Sequence, residues 1–182
     1  MTEVNSQANP EVLILMGSAS DWKHVRGAAE VLEGLGVSFE VHVSSAHRTP
    51  ARTVDLVRSA EAGRCSVYIC AAGMAAHLAG VVAAHTVRPV LGVPLPGGVL
   101  DGVDALLATV QMPGGIPVAT FAVGSAGARN AAFFAAQVIA GERPEVGLAL
   151  EDARRADGEK IAAADREINT EINTEISTGR DS

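Results

Sequence analysis

The chain has 182 residues, a formal net charge of −7, 48% hydrophobic residues and only 3% aromatic ones. That length suits one domain with a full core, and an acidic chain without a long basic run argues against a general nucleic-acid or anionic-membrane surface. No uninterrupted apolar run is long enough to cross a bilayer and no signal-peptide pattern opens the chain, so a soluble cytoplasmic protein is the default reading.

Residues 1–10 are polar and irregular and read as a flexible N-terminal tail. Val12 to Met16 is a continuous apolar run, the mark of a strand covered on both faces. Gly17-Ser18-Ala19-Ser20-Asp21 follows, with Ser20 or Asp21 as the cap of a helix that carries Val25, Ala28, Ala29, Val31 and Leu32. Val37 to Val43 alternates as a second strand. It ends in Ser44-Ser45-Ala46-His47-Arg48-Thr49, and Pro50 opens the next helix.

Ser66 to Ala71 is a third buried strand. It leads through Ala72-Gly73-Met74-Ala75-Ala76-His77 into a helix expected to reach about His85. Val90 to Val93 is a fourth strand, closed by Pro94. A Gly- and Pro-rich loop, a short helix through Val103 to Val110, a fifth strand over Pro117 to Val123 and a small-residue helix over Ala128 to Ala140 complete the pattern. Strands that alternate with helices imply a parallel sheet with right-handed crossovers. The fold expected is a single three-layer α/β/α domain over 11–164, including a charged C-terminal helix. In 165–182 a Glu-Ile-Asn-Thr motif nearly repeats three times, and Asn and Thr are poor helix formers, so a frayed low-complexity tail is expected there. Cys65 and Cys70 lack CxxC spacing and read as buried free thiols.

In an open parallel sheet, ligands bind at the carboxyl ends of the strands. His47 and Arg48 sit at such an end, where an imidazole can move a proton and a guanidinium can fork onto a phosphate. Gly17 to Asp21 suits either helix capping or an anion, with Ser18 and Ser20 as hydroxyl donors and Asp21 as an acceptor for sugar hydroxyls. His77, set among Ala and Gly, reads equally as a ligand contact or as a packed helix-end residue. No His and carboxylate set has metal-ligand spacing, and no nucleophile elbow is present.

Taken in order, Met16-Gly-Ser-Ala-Ser-Asp-Trp22, Ser45-Ala-His-Arg-Thr-Pro50, Ala75-Ala-His-Leu78, Pro89-Val-Leu-Gly-Val-Pro94, Val110-Gln-Met-Pro113 and Gly124 through Ala132 resemble the class I N5-carboxyaminoimidazole ribonucleotide mutases of purine biosynthesis. The resemblance covers about residues 12–140. It implies a flavodoxin-like fold, a homo-octamer and no metal or organic cofactor. It further implies a reaction that moves a carboxylate from the exocyclic nitrogen of an aminoimidazole ribonucleotide to the adjacent ring carbon, after an ATP-dependent synthetase has made the carbamate. By the same resemblance His47 is the general acid/base, and Ser18, Ser20, Asp21, Ser45 and Arg48 bind the ribonucleotide. Ala46, Gly73, Ala76 and His77 would then bound a small-residue pocket for carbon dioxide.

The chain departs from the family pattern at Met74, where a second glycine is usual, at Ala79 for Pro, at Ala105 for Ser, and in the loop Leu95 to Leu100. Two other readings are a direct carboxylase of the aminoimidazole ribonucleotide and a non-catalytic flavodoxin-like nucleotide or flavin binder. Flavin rings usually stack on aromatics, and one Trp, one Tyr and four Phe offer few.

Overall fold

A computed structural model describes residues 10–63 and 65–178, with side chains of the last helix described through Ile172. Five strands form one all-parallel sheet: β1 (Val12–Met16), β2 (Phe39–Val43), β3 (Val67–Gly73), β4 (Val90–Leu95) and β5 (Ala119–Thr120). Their order across the sheet is β2-β1-β3-β4-β5. The chain therefore steps to one side of β1, returns, and continues on the other, which opens a crevice at the carboxyl end of β1. This is the three-layer architecture expected from the alternation of strands and helices, and the flavodoxin-like fold that the resemblance implied.

The two faces follow from the period-2 geometry of a strand. Val12, Ile14 and Met16 point into one core with Val25 and Leu32 of α1 (Trp22–Gly34) and the alanines of α5 (Ser125–Ala140). Leu13 and Leu15 point the other way, toward Val57 of α2 (Pro50–Ala62) and Leu78 and Val82 of α3 (Leu78–Ala83). Ala128, Ala131, Ala132, Ala135 and Ala136 are all fully buried, so the small side chains bring α5 close to α1 and the sheet. On the α2/α3 face, a β-carbon on Gly92 would meet Thr109 of α4 (Val103–Val110) at 2.4 Å. Glycine at that point of β4 lets α4 lie directly on the strand.

Several boundaries differ from expectation. Asp21 holds the N-cap position of α1, as one expectation had it, but makes no side-chain cap bond there; Ser18 caps the turn ahead of that helix. Its Oγ accepts from Ser20 N, and Asp21 Oδ2 accepts from Ser18 N at 2.9 Å, a reciprocal capping box around a short 3-10 turn (Ala19–Asp21). β2 starts two residues later than expected. β4 runs past Pro94 to Leu95. The carbonyl of Pro94 accepts from Gly124 N, so the missing donor of Pro94 faces the β5 side, where the partner strand is only two residues long. β3 continues to Gly73, and the helix after His77, expected to reach about His85, covers only Leu78–Ala83. The intervening chain is wound instead by bonds from Ala76 N to Met74 O and from His77 N to Ala75 O.

The C-terminal segment is the largest correction. α6 (Pro144–Thr178) runs through most of the stretch expected to fray. Side chains that usually compete with helical bonds here return to their own helix: Asn169 Nδ2 donates to Asp165 O, and Thr170 Oγ1 to Arg166 O. Residues 1–9 and 179–182 of the two expected tails lie outside the described residues. Both cysteines are free and buried, as expected. Among the described residues no helix is long and apolar enough to cross a membrane.

A staple closes the amino end of the sheet. Arg143, in the turn between α5 and α6, donates through Nη1 to both carboxylate oxygens of Glu11 at 3.0 and 2.8 Å. Glu11 also accepts from Ser38 N and Ser38 Oγ. Burial alone would raise the Glu11 carboxyl, but these bonds and the guanidinium outweigh it and hold the group below its ordinary value.

Candidate active site

The loops after β1, β2 and β3 converge on one cavity of about 590 Å³ at the carboxyl end of the sheet. The β2 loop is the most firmly built of the three. Ser44 is buried, its amide donates to Met16 O, and its hydroxyl meets that of Thr53 at 2.8 Å. Thr49 Oγ1 accepts from Ser45 N and donates to Ser45 O. Ser45 Oγ accepts from Arg48 N. These bonds fix a tight turn with His47 and Arg48 at its exposed tip.

His47 meets His77 across the cavity. Its Nε2 lies 2.8 Å from His77 Nδ1, and the rings stand edge to face with centroids 4.9 Å apart. One of the two nitrogens must carry a hydrogen and the other a lone pair. The pair therefore holds one proton between two bases, in contact with both the cavity and solvent.

The β1 loop supplies the polar wall: Ser18, Ser20 and Asp21. Ser18 Oγ and Ser20 Oγ are 2.9 Å apart. The amides of Ser18, Ser20 and Asp21 are already used within the capping box, so what these residues offer an anion is the hydroxyls of Ser18 and Ser20. Partial burial raises the Asp21 carboxyl above its ordinary value, against the bond from Ser18 N. Arg48 is the one guanidinium or ammonium that lines the cavity among the described residues. Its Nη2 reaches no closer than 3.5 Å to Gly17 O, so most of its donors remain open to a ligand.

The third wall comes from β3 and β4. Gly73, Met74 and Ala75 line it with Leu95, Pro96 and Gly97. Of the residues singled out in the sequence, Ser18, Ser20, Asp21, Ser45, His47, Arg48, Gly73 and His77 all border the cavity. Ala76 does not: it is 2% exposed and turned into the fold, because the tight winding after Met74 presents Ala75 instead. Sequence reasoning named Ala76 where Ala75 is the lining residue, whereas the Leu95 to Leu100 loop it singled out does supply Leu95, Pro96 and Gly97 to the rim. It also left His77 undecided, since nothing local to that residue announces a partner thirty positions away. Among the described residues no group of three His, Cys, Asp or Glu side chains is placed to hold a metal ion.

Comparison with known proteins agrees with this fold. Residues 11–160 match the family model described as AIR carboxylase. The chain is 48% identical over 159 residues to the N5-carboxyaminoimidazole ribonucleotide mutase of Escherichia coli K12, covering 87% of this chain and 94% of that protein. It is 49% identical over 152 residues to the protein of the same name from Brucella melitensis, covering 84% and 94%. The crystal structure of Treponema denticola PurE superimposes with a TM-score of 0.77 at 29% identity, over 86% of this chain and 96% of that one.

Proposed function

The chain belongs to the AIR carboxylase family, and from that premise we propose that it works as an N5-carboxyaminoimidazole ribonucleotide mutase, an isomerase of purine biosynthesis. The observation that carries the mechanistic reading is the contact between His47 and His77 in the wall of a cavity that also holds one arginine and three serines. The cavity is of the size that takes a small organic ligand.

In this reading Arg48 and the hydroxyls of Ser18, Ser20 and Ser45 hold the phosphate end of the ribonucleotide. Asp21 accepts from ribose hydroxyls. The aminoimidazole ring then lies toward His47, His77, Gly73 and Ala75. The carbamate N–C bond breaks, its electron pair stays on nitrogen, and nitrogen takes a proton. The ring carbon attacks the released carbon dioxide and forms the new C–C bond. The proton still on that carbon leaves to the free ring nitrogen of the histidine pair, which restores the proton spent in the first step. His47 is the general acid/base, and His77 receives or returns the shared proton. Because both fragments stay in one cavity, recombination needs no diffusional encounter.

The reading extends to a cytoplasmic homo-octamer that takes its carbamate from an ATP-dependent synthetase. The test is a spectrophotometric assay, without ATP or added metal, of conversion of the carbamate ribonucleotide to its ring-carboxylated isomer. Rapid conversion independent of bicarbonate is expected. The family description favours one alternative, direct carboxylation of the aminoimidazole ribonucleotide. Turnover only with that substrate and bicarbonate would establish it and overturn the mutase.

A further inference from the structure

Met74 occupies a backbone position that suits glycine. Its φ is +54°, in the left-handed region where a β-carbon is disfavoured. The turn is needed, because it brings the chain out of β3 and sets His77 against His47. The side chain is not needed for the turn, and a glycine would make it with less strain.

The methionine side chain nevertheless has a defined place. It is 61% exposed and lines the cavity. A β-carbon on Gly98 would come within 3.2 Å of Met74 Cγ, so the arm of Met74 lies directly on that glycine. It thus spans from the end of β3 to the loop after β4, the two rims that flank the histidine pair. The other long aliphatic side chains of the cavity, Leu78 and Leu95, are buried at 2% and 1% exposure. Met74 is therefore the one long, unbranched apolar arm that faces the opening among the described lining residues.

We propose that Met74 is a positioning residue that caps the reacting end of the cavity, retaining carbon dioxide between cleavage of the carbamate and formation of the ring carboxylate. The inference rests on the mutase reading above. The chemistry requires such retention. Carbon dioxide is uncharged and makes only weak contacts, and its escape leaves free aminoimidazole ribonucleotide and bicarbonate. A flexible thioether can follow the small movements of a ligand while still excluding water. A glycine here would remove the arm that lies on Gly98 and lines the cavity.

The experiment uses the full chain with unlabelled carbamate ribonucleotide in buffer containing ¹³C-bicarbonate, and reads the label in the ring-carboxylated product by mass spectrometry. The wild type is expected to keep its own carboxyl group. Met74→Ala, which removes the arm and keeps the β-carbon, and Met74→Gly, which also relieves the backbone, should each raise label incorporation per turnover at least about threefold. Met74→Leu should restore retention. A role in strain alone would separate the Ala and Gly variants in thermal stability and leave the label unchanged in both. Equal retention in all four proteins, with wild-type conversion intact, overturns the cap. A wild type that does not convert the carbamate overturns the mutase reading, and the cap with it.

Discussion

His47 and His77 share a hydrogen bond of 2.8 Å although the strands that lead to them, β2 and β3, are separated by β1. Each loop turns inward over the end of the central strand, and the two imidazoles close the crevice from opposite sides. The bond links the proton state of each ring to that of the other, since one nitrogen must donate and the other accept.

His47→Asn is expected to lower turnover by about 10²–10⁴-fold, the usual contribution of a positioned general acid/base, while calorimetry still detects ribonucleotide binding. His77→Ala should cost less, roughly tenfold for one lost bond, but should displace the pH profile of kcat. An unshifted profile in that variant would mean that His47 works without its neighbour.

Arg48 is the only fixed positive charge in the cavity wall among the described residues. Arg48→Ala should weaken ribonucleotide binding by about 1.5–3 kcal/mol, the range for a lost charge-assisted hydrogen bond. The nucleoside without its phosphate should bind both proteins equally. A similar loss for the nucleoside would assign Arg48 to the base or the sugar.

The Glu11–Arg143 staple carries a pH signature. Glu11 is held below the ordinary Glu value of 4.5 in the folded chain, so its contribution is fully present above that value and is lost as pH falls through the folded one. Arg143→Ala should lower stability to urea by about 1.5–3 kcal/mol at pH 7. The same substitution should cost progressively less as pH falls through the lowered folded value, because Glu11 then takes up a proton in the folded chain as well.

Gly127 tests the packing of α5. A β-carbon there would stand 1.6 Å from the carbonyl oxygen of Ala122, so backbone must move to admit it. Gly127→Ala should destabilise by about 3 kcal/mol and lower Tm by roughly 6–12 °C. Ala131→Gly, in the same helix, should cost only about 1 kcal/mol by propensity, plus a small cavity.

The strand runs, the helix periodicity and the positions of His47 and Arg48 were legible in the order of residues, because each depends on local period and on the rule that chemistry sits where strands end. Ordered motifs through 12–140 carried the family as well. Boundaries were less legible where a distant group decided them. Pro94 stays in β4 because its missing donor faces a two-residue edge strand. Ser18 caps the 3-10 turn ahead of α1, with Asp21 reaching back to its amide. The helix over 165–178 forms against the propensity of Asn and Thr, with Asn169 and Thr170 returning their side-chain donors to carbonyls one turn earlier.

By itself, then, the sequence determined a parallel α/β domain of this family, with an imidazole and a guanidinium at the end of its second strand. Only the tertiary structure decided that His77 faces His47, that Ala76 is buried and Ala75 lines the cavity, that Met74 leans on Gly98, and that Arg143 grips Glu11 across 132 positions. The physical reason is common to all four. Periodicity reports which way a residue faces within its own element, whereas these relationships depend on how separate elements are brought together by the crossovers of the sheet, and no local pattern records that distance.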